Sequence, residues 1–198
     1  MNPARLTAVL WLLGATVYLA CKGIAAARVD GYSYTTDFIS DLGAVPLMNI
    51  AFVVHGTLFA AGACVIGKSL FRRSRVAQLF VTAAVVNAVG NALVGTFPSG
   101  SAQAHWHVAG AGLAIVGGNV AVIAGGVACQ AIGVQRGLGR TGIALGSLGI
   151  VSLLVLTADV SRVVPPGLVE RAAVYPIIAW ELLAGAALLI RGADTPRG

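Results

Sequence analysis

Charge is what this 198-residue chain has least of: charged residues make up 10% of it, against roughly a quarter in a soluble domain. Folding never hides a whole chain, and a water-soluble fold of this length would have too few polar groups left to face solvent. A soluble globular domain is therefore excluded. Cysteine is scarce too: Cys21, Cys64 and Cys129 sit in or at the ends of apolar runs without paired spacing, so a disulfide framework and a CxxC metal motif are excluded. No nucleophile motif, cofactor motif or internal repeat is present, and no cofactor is expected.

What is there is hydrocarbon-like. Hydrophobic residues are 58% of the chain and the mean hydropathy is +0.88. The formal charge of +6 would point to nucleic acid if the basic residues formed a patch on a soluble domain. They gather instead at the ends of apolar segments, where a membrane protein needs them. Membrane lipid is the expected partner, and nucleic acid is not.

A span needs about 20 mostly apolar residues to cross about 30 Å of hydrocarbon. Six such runs lie between charges and turn signals: Leu6–Ala26, Pro46–Gly67, Val76–Thr96, His107–Cys129, Thr141–Ala158 and Ala172–Ile190. The fold class is thus all-α, a single bundle of six transmembrane helices whose short connections make neighbours antiparallel. The first run is longer than a signal-peptide core and no small-x-small site follows it, so it reads as a helix. An N-terminus in the cytoplasm places Arg5, Lys68, Arg72, Arg73, Arg75, Arg136, Arg140, Arg191 and Arg197 inside, against Lys22, Arg28, Arg162 and Arg171 outside. The positive-inside rule then sets both termini in the cytoplasm of a multi-pass cell-membrane protein.

Glycine is abundant, at 26 residues. Gly110, Gly112, Gly117, Gly118, Gly125 and Gly126 line the fourth span, and Gly142 and Gly146 the fifth. Small residues let helix backbones approach closely in lipid. The Gly142 and Gly146 face fits either packing within the bundle or a homo-oligomer or membrane-protein partner.

The acidic groups are distributed differently from the basic ones. Asp30, Asp37, Asp41, Asp159 and Glu170 fall in or beside the outer loops, as do His105 and His107, so a site would open outward. In the first outer loop Phe38, Ile39 and Leu42 recur at helical spacing opposite Asp37, Ser40 and Asp41, which predicts a short amphipathic helix at the interface. Gly43 would end it in a left-handed conformation, and Pro46 would open the second span. His105 and His107 face one side only in an extended segment. Metal binding by Asp41, His105 and His107 therefore requires that the fourth helix begin after His105.

Within the spans His55, Asn87, Asn91, Asn119 and Glu181 stand out. At about 1.5 Å per residue, His55 and Glu181 fall at similar depth and can meet. An ionised Glu in hydrocarbon is expensive, so Glu181 should be protonated, face a wet cavity, or pair with His55, Arg171 or Lys22. Asn87 and Asn91 share a helix face, and Glu170 and Glu181 nearly share another. The arrangement reads equally as a pocket or as a polar clasp that fixes helix register.

Ile39-Ser-Asp-Leu-Gly-Ala44, Gly95-Thr-Phe-Pro98, His105 or His107, Gly167-Leu-Val-Glu-Arg171 and Trp180 follow one another along the chain. In these motifs the chain resembles the bacterial membrane family named domain of unknown function 998, over almost its whole length. The resemblance implies a six-helix membrane protein distantly similar to DRAM-like and Sfk-like proteins, with no established activity. The family residues carried over are Ser40, Asp41, Gly43, Pro98, His105 or His107, Glu170 and Arg171. Ser99 and Ser101 stand where an acidic residue is expected.

Three functions fit these residues. The first is a non-enzymatic lipid- or ligand-binding bundle, or small subunit of an envelope complex, with an outward polar site at Ser40, Asp41, His105, His107, Glu170 and Arg171. The second is an intramembrane metal-dependent hydrolase acting on a lipid or headgroup, with metal on Asp41, His105 and His107. The third is a proton-coupled transporter using Glu181, which belongs to a candidate intramembrane polar cluster with His55, Asn87 and Asn91. The shared premise is the topology: single cysteines beside Asp41 and beside Arg73 should react with a membrane-impermeant reagent from opposite faces. Labelling of both from one face would refute it.

Overall fold

The computed structural model describes residues 2–69, 74–131, 136–158 and 164–193. Among them are six helices long and apolar enough to cross a membrane: α1 (Pro3–Ala26), α2 (Pro46–Ser69), α3 (Arg75–Thr96), α4 (Ala104–Ala131), α5 (Arg136–Thr157) and α6 (Pro166–Ala193). Arg72, Arg73, Asp159, Arg162, Asp194 and Arg197 lie outside the described residues. The helices run past the apolar segments, and several begin at a local start signal rather than at the edge of the apolar run. Asn2 accepts the amide of Ala4 before α1, Ser74 accepts that of Ala77 before α3, and a proline opens α1, α2 and α6, where its missing N–H costs nothing.

Each helix packs on its chain neighbours, and α6 closes the ring on α1. Leu12 meets Gly185 while Lys22 bonds Tyr175, so these two run antiparallel. The end of the bundle that carries the α1–α2 loop is the cap face below. Trp11, Phe59, Phe80 and Trp180 form an aromatic layer in the other half, with ring centroids 5.2 to 6.3 Å from Trp11 to the other three. Long apolar side chains such as Leu13, Ile50, Val108, Leu154 and Ile190 point away from the bundle, exposed, as they must when lipid is the solvent.

Glycine sets the helix spacing. A Cβ on Gly90 would lie 2.2 Å from the backbone nitrogen of Ala114, and one on Gly126 would lie 2.6 Å from the carbonyl of Gly139. Gly142 and Gly146 face α4 and Trp180 inside the same chain: their Cβ positions fall 3.1 Å from the Val122 carbonyl and 2.7 Å from that of Asn119. This face is filled by intramolecular packing.

Three details differ from the expectations set by the sequence. Where a short amphipathic helix is expected at the interface, the α1–α2 loop contains a single 3-10 turn, Ser40–Ala44. In a 3-10 turn residues three apart eclipse, and this aligns Ile39 and Leu42 as a plug, 1% and 0% exposed, within the bundle. Gly43 is not left-handed; among the described glycines only Gly31 and Gly100 have positive φ. Its missing Cβ instead admits Asn49, whose side-chain oxygen would stand 2.9 Å away and whose amide donates to the Gly43 carbonyl at 2.8 Å. Finally, α6 begins at Pro166 rather than Ala172, so Glu170 and Arg171 belong to its second turn.

Gly90→Ala should cost about 1–3 kcal/mol, because a backbone atom cannot yield to the added methyl. Gly112→Ala, with nothing within 4 Å of its Cβ, should leave thermal unfolding in detergent unchanged; equal effects from both would contradict the close α3–α4 approach.

Candidate functional site

The site is built downward from the cap. Glu170 reaches from α6 to accept a hydrogen bond from the backbone amide of Ile39, and the Ser40 amide also bonds it. A carboxylate at the start of the Ser40–Ala44 turn supplies the acceptor that its unpaired amides need. Arg171 holds the preceding loop: Nη1 donates to the carbonyls of Asp37 and Gly167, both at 2.8 Å, and Nη2 donates to the Tyr32 hydroxyl. Its guanidinium carbon also stands 5.2 Å from the centre of the Tyr34 ring. Gly167 permits the contact, since a Cβ there would fall 2.5 Å from the Asp37 carbonyl. Burial pushes the Tyr32 phenol up to about 12 despite the opposing Arg171 charge. Tyr32 therefore stays neutral and also donates to the Phe38 carbonyl at 3.1 Å.

Beneath the cap lies a chamber of about 50 Å³, whose polar lining is Tyr18, Ser40, His55, Asn87, Asn91 and Glu170. Glu170 and Glu181 are about 16 Å apart along α6 at about 1.5 Å per residue, and eleven residues make just over three whole turns, so both fall on one face. At the lower end Nε2 of His55 sits 3.0 and 3.1 Å from the two carboxylate oxygens of Glu181. The pair is 3% and 0% exposed. The His55 ring lies between Tyr18, 5.0 Å away, and Phe59, stacked at 6.5 Å.

Asparagines tie the neighbouring helices. Asn87 donates to the Ala114 carbonyl at 2.7 Å, and Asn91 to the carbonyl and side-chain oxygen of Asn87 at 3.0 and 3.2 Å. Asn119 donates to the carbonyls of Ile115 and Ala173, both at 2.9 Å. Pro176 lacks an amide for the preceding turn of α6, and the carbonyl Asn119 reaches is in that turn. Gly149 makes room, for a Cβ there would overlap the Asn119 side-chain oxygen at 2.0 Å.

The remaining sequence candidates do not converge on the chamber. Asp41 is exposed and accepts the Phe38 amide at 2.9 Å. His107 is buried and its Nδ1 donates to the Phe97 carbonyl at 2.8 Å, while His105 is exposed. Because α4 starts at Ala104, the two rings point to different sides, and the geometry required for a His-x-His metal pair is not met. Among the described residues no three metal-ligating side chains cluster. Sequence reasoning missed Tyr18, and it missed Tyr175 as the partner of Lys22; neither residue breaks the apolar pattern of its helix strongly enough to signal a role.

These features define a class: a polytopic helical membrane protein with a buried polar chamber near one face. Within that class the chain belongs to the family described as protein of unknown function DUF998, whose model matches residues 12–187. No curated protein and no solved structure matches the chain.

His55→Leu should destabilise the protein by about 3–5 kcal/mol by leaving Glu181 buried without a partner. The double variant His55→Leu with Glu181→Met should recover most of that loss in denaturant unfolding. A double variant no more stable than the single one would show that the pair is not coupled.

Proposed function

We propose that this membrane protein is a non-enzymatic binding bundle that takes a small polar or amphipathic molecule through its cap face, which the distribution of Lys and Arg sets outside the cytoplasm. The observation that carries this reading is convergence: Ser40, Glu170, His55, Asn87 and Asn91 come from the cap and three helices to line one chamber. A mostly apolar cavity with a few convergent polar groups is the usual form of a small-molecule site.

The chamber of about 50 Å³ is far smaller than the engineered 150 Å³ cavity that admits benzene. Ligand entry therefore requires the cap to lift, and the Glu170 and Arg171 contacts are the bonds that would break. The hydrolase reading has weaker support, because Asp41 and His107 already serve backbone partners.

Mass spectrometry of protein extracted in native lipid discs should detect a bound small molecule or lipid fragment. Ala111→Leu narrows the chamber without touching its polar groups and should lower occupancy at least several-fold. Recovery of wild-type protein with nothing bound, or equal occupancy in the variant, would count against the reading.

A further inference from the structure

His55 has two ring nitrogens, and the protein supplies a partner for one. Nε2 meets Glu181; Nδ1 is buried without a partner among the described residues, on a side chain that lines the chamber. A polar atom in this position needs a hydrogen bond that hydrocarbon cannot give. The chamber of about 50 Å³ exceeds the roughly 10–15 Å³ of probe volume that one water requires. Ser40, Asn87, Asn91 and Glu170 share its lining, and a buried water is held by two to four polar partners.

We infer that the chamber is a hydrated proton-exchange site, in which water delivers a proton from the cap face to Nδ1 of His55. With Nε2–H donated to the Glu181 carboxylate, Nδ1 carries the free lone pair. When the plug of Ile39 and Leu42 lifts, one proton passes from bulk water through the chamber water to Nδ1, and the pair changes from net charge −1 to a neutral ion pair. Release follows the same route, so the step needs no co-reactant besides water.

The groups that face the pair come from several elements. From α1 come Tyr18 and, nearer the cap, Lys22 bonded to Tyr175. From α6 come Glu170 and Arg171, both engaged with the cap loop, which adds Asp41 and Tyr32. The polar side chains of α3 and α4 here are the neutral Asn87, Asn91 and Asn119; His107 is at the cap end of α4, bonded to Phe97. Arg5, Lys68, Arg75, Arg136 and Arg140 lie toward the opposite face. On that side the layer of Trp11, Phe59, Phe80 and Trp180 closes the bundle core, so exchange is one-sided and the protein is not a proton channel.

The inference uses the same chamber as the binding reading but requires no bound molecule, so the two fail separately. Protein with ¹⁵N-labelled histidine in lipid nanodiscs should show magnetisation transfer from water to an imidazole signal that disappears in His55→Gln. That signal should shift on titration together with an infrared carboxyl band lost in Glu181→Gln. Ala111→Leu, which retains the pair, should cut the water transfer several-fold. Absence of water transfer in the wild type, or transfer and titration unchanged by Ala111→Leu, would overturn the hydrated site. Proteoliposomes should leak protons no faster than protein-free vesicles; faster leak would overturn its one-sidedness.

Discussion

Hydrocarbon offers no hydrogen bonds, so a polar side chain within the spans is held by a partner inside the protein or by water in its chamber. That constraint organises the interior. Glu181 meets His55, Asn87 and Asn119 reach carbonyls on neighbouring helices, and Asn91 folds back on Asn87. The bonds of Glu181, Asn87 and Asn119 join helices that apolar packing alone would leave free to slide, because lipid tails attract leucine as well as another helix does.

Glycine makes those bonds geometrically possible. Asn119 can lie between α4, α5 and α6 only because Gly149 has no side chain, and Asn87 reaches Ala114 only because Gly90, Gly110 and Gly117 let α3 and α4 touch backbone to backbone. The same principle operates at the cap, where Gly167 lets the loop carbonyls of Thr35 and Asp37 lie against α6. The polar and small residues thus work together, and the approaches at Gly90, Gly149 and Gly167 leave room for the bonds of Asn87, Asn119 and Arg171.

Much of the candidate site is legible in the amino-acid sequence. Glu181 and His55 stand out as ionisable groups inside apolar runs, and their equal depth follows from counting residues. Glu170 and Arg171 are also legible as polar groups near the loop face. Their task is not: a carboxylate that accepts the Ile39 and Ser40 amides and a guanidinium that gathers loop carbonyls depend on a fold-back of the loop that has no local periodicity. Asp41 carries a stronger motif than Glu170, yet it turns to the nearby Phe38 amide. A short polar side chain in a turn has a backbone partner at hand, and nothing in the sequence separates that from a ligand role.

Composition and segment length by themselves determined the solvent, the number of crossings and the helical class, because these depend on chain-averaged hydropathy and on the thickness of a bilayer. Tertiary structure alone decided that Gly142 and Gly146 turn inward, that Ile39 and Leu42 plug the bundle, and that His107 is drawn away from His105. Those outcomes depend on the rotation of each helix about its axis, which is set by side chains on its neighbours rather than by its own pattern. A weakly amphipathic helix in lipid presents nearly equivalent faces, and only contact with the next helix tells them apart.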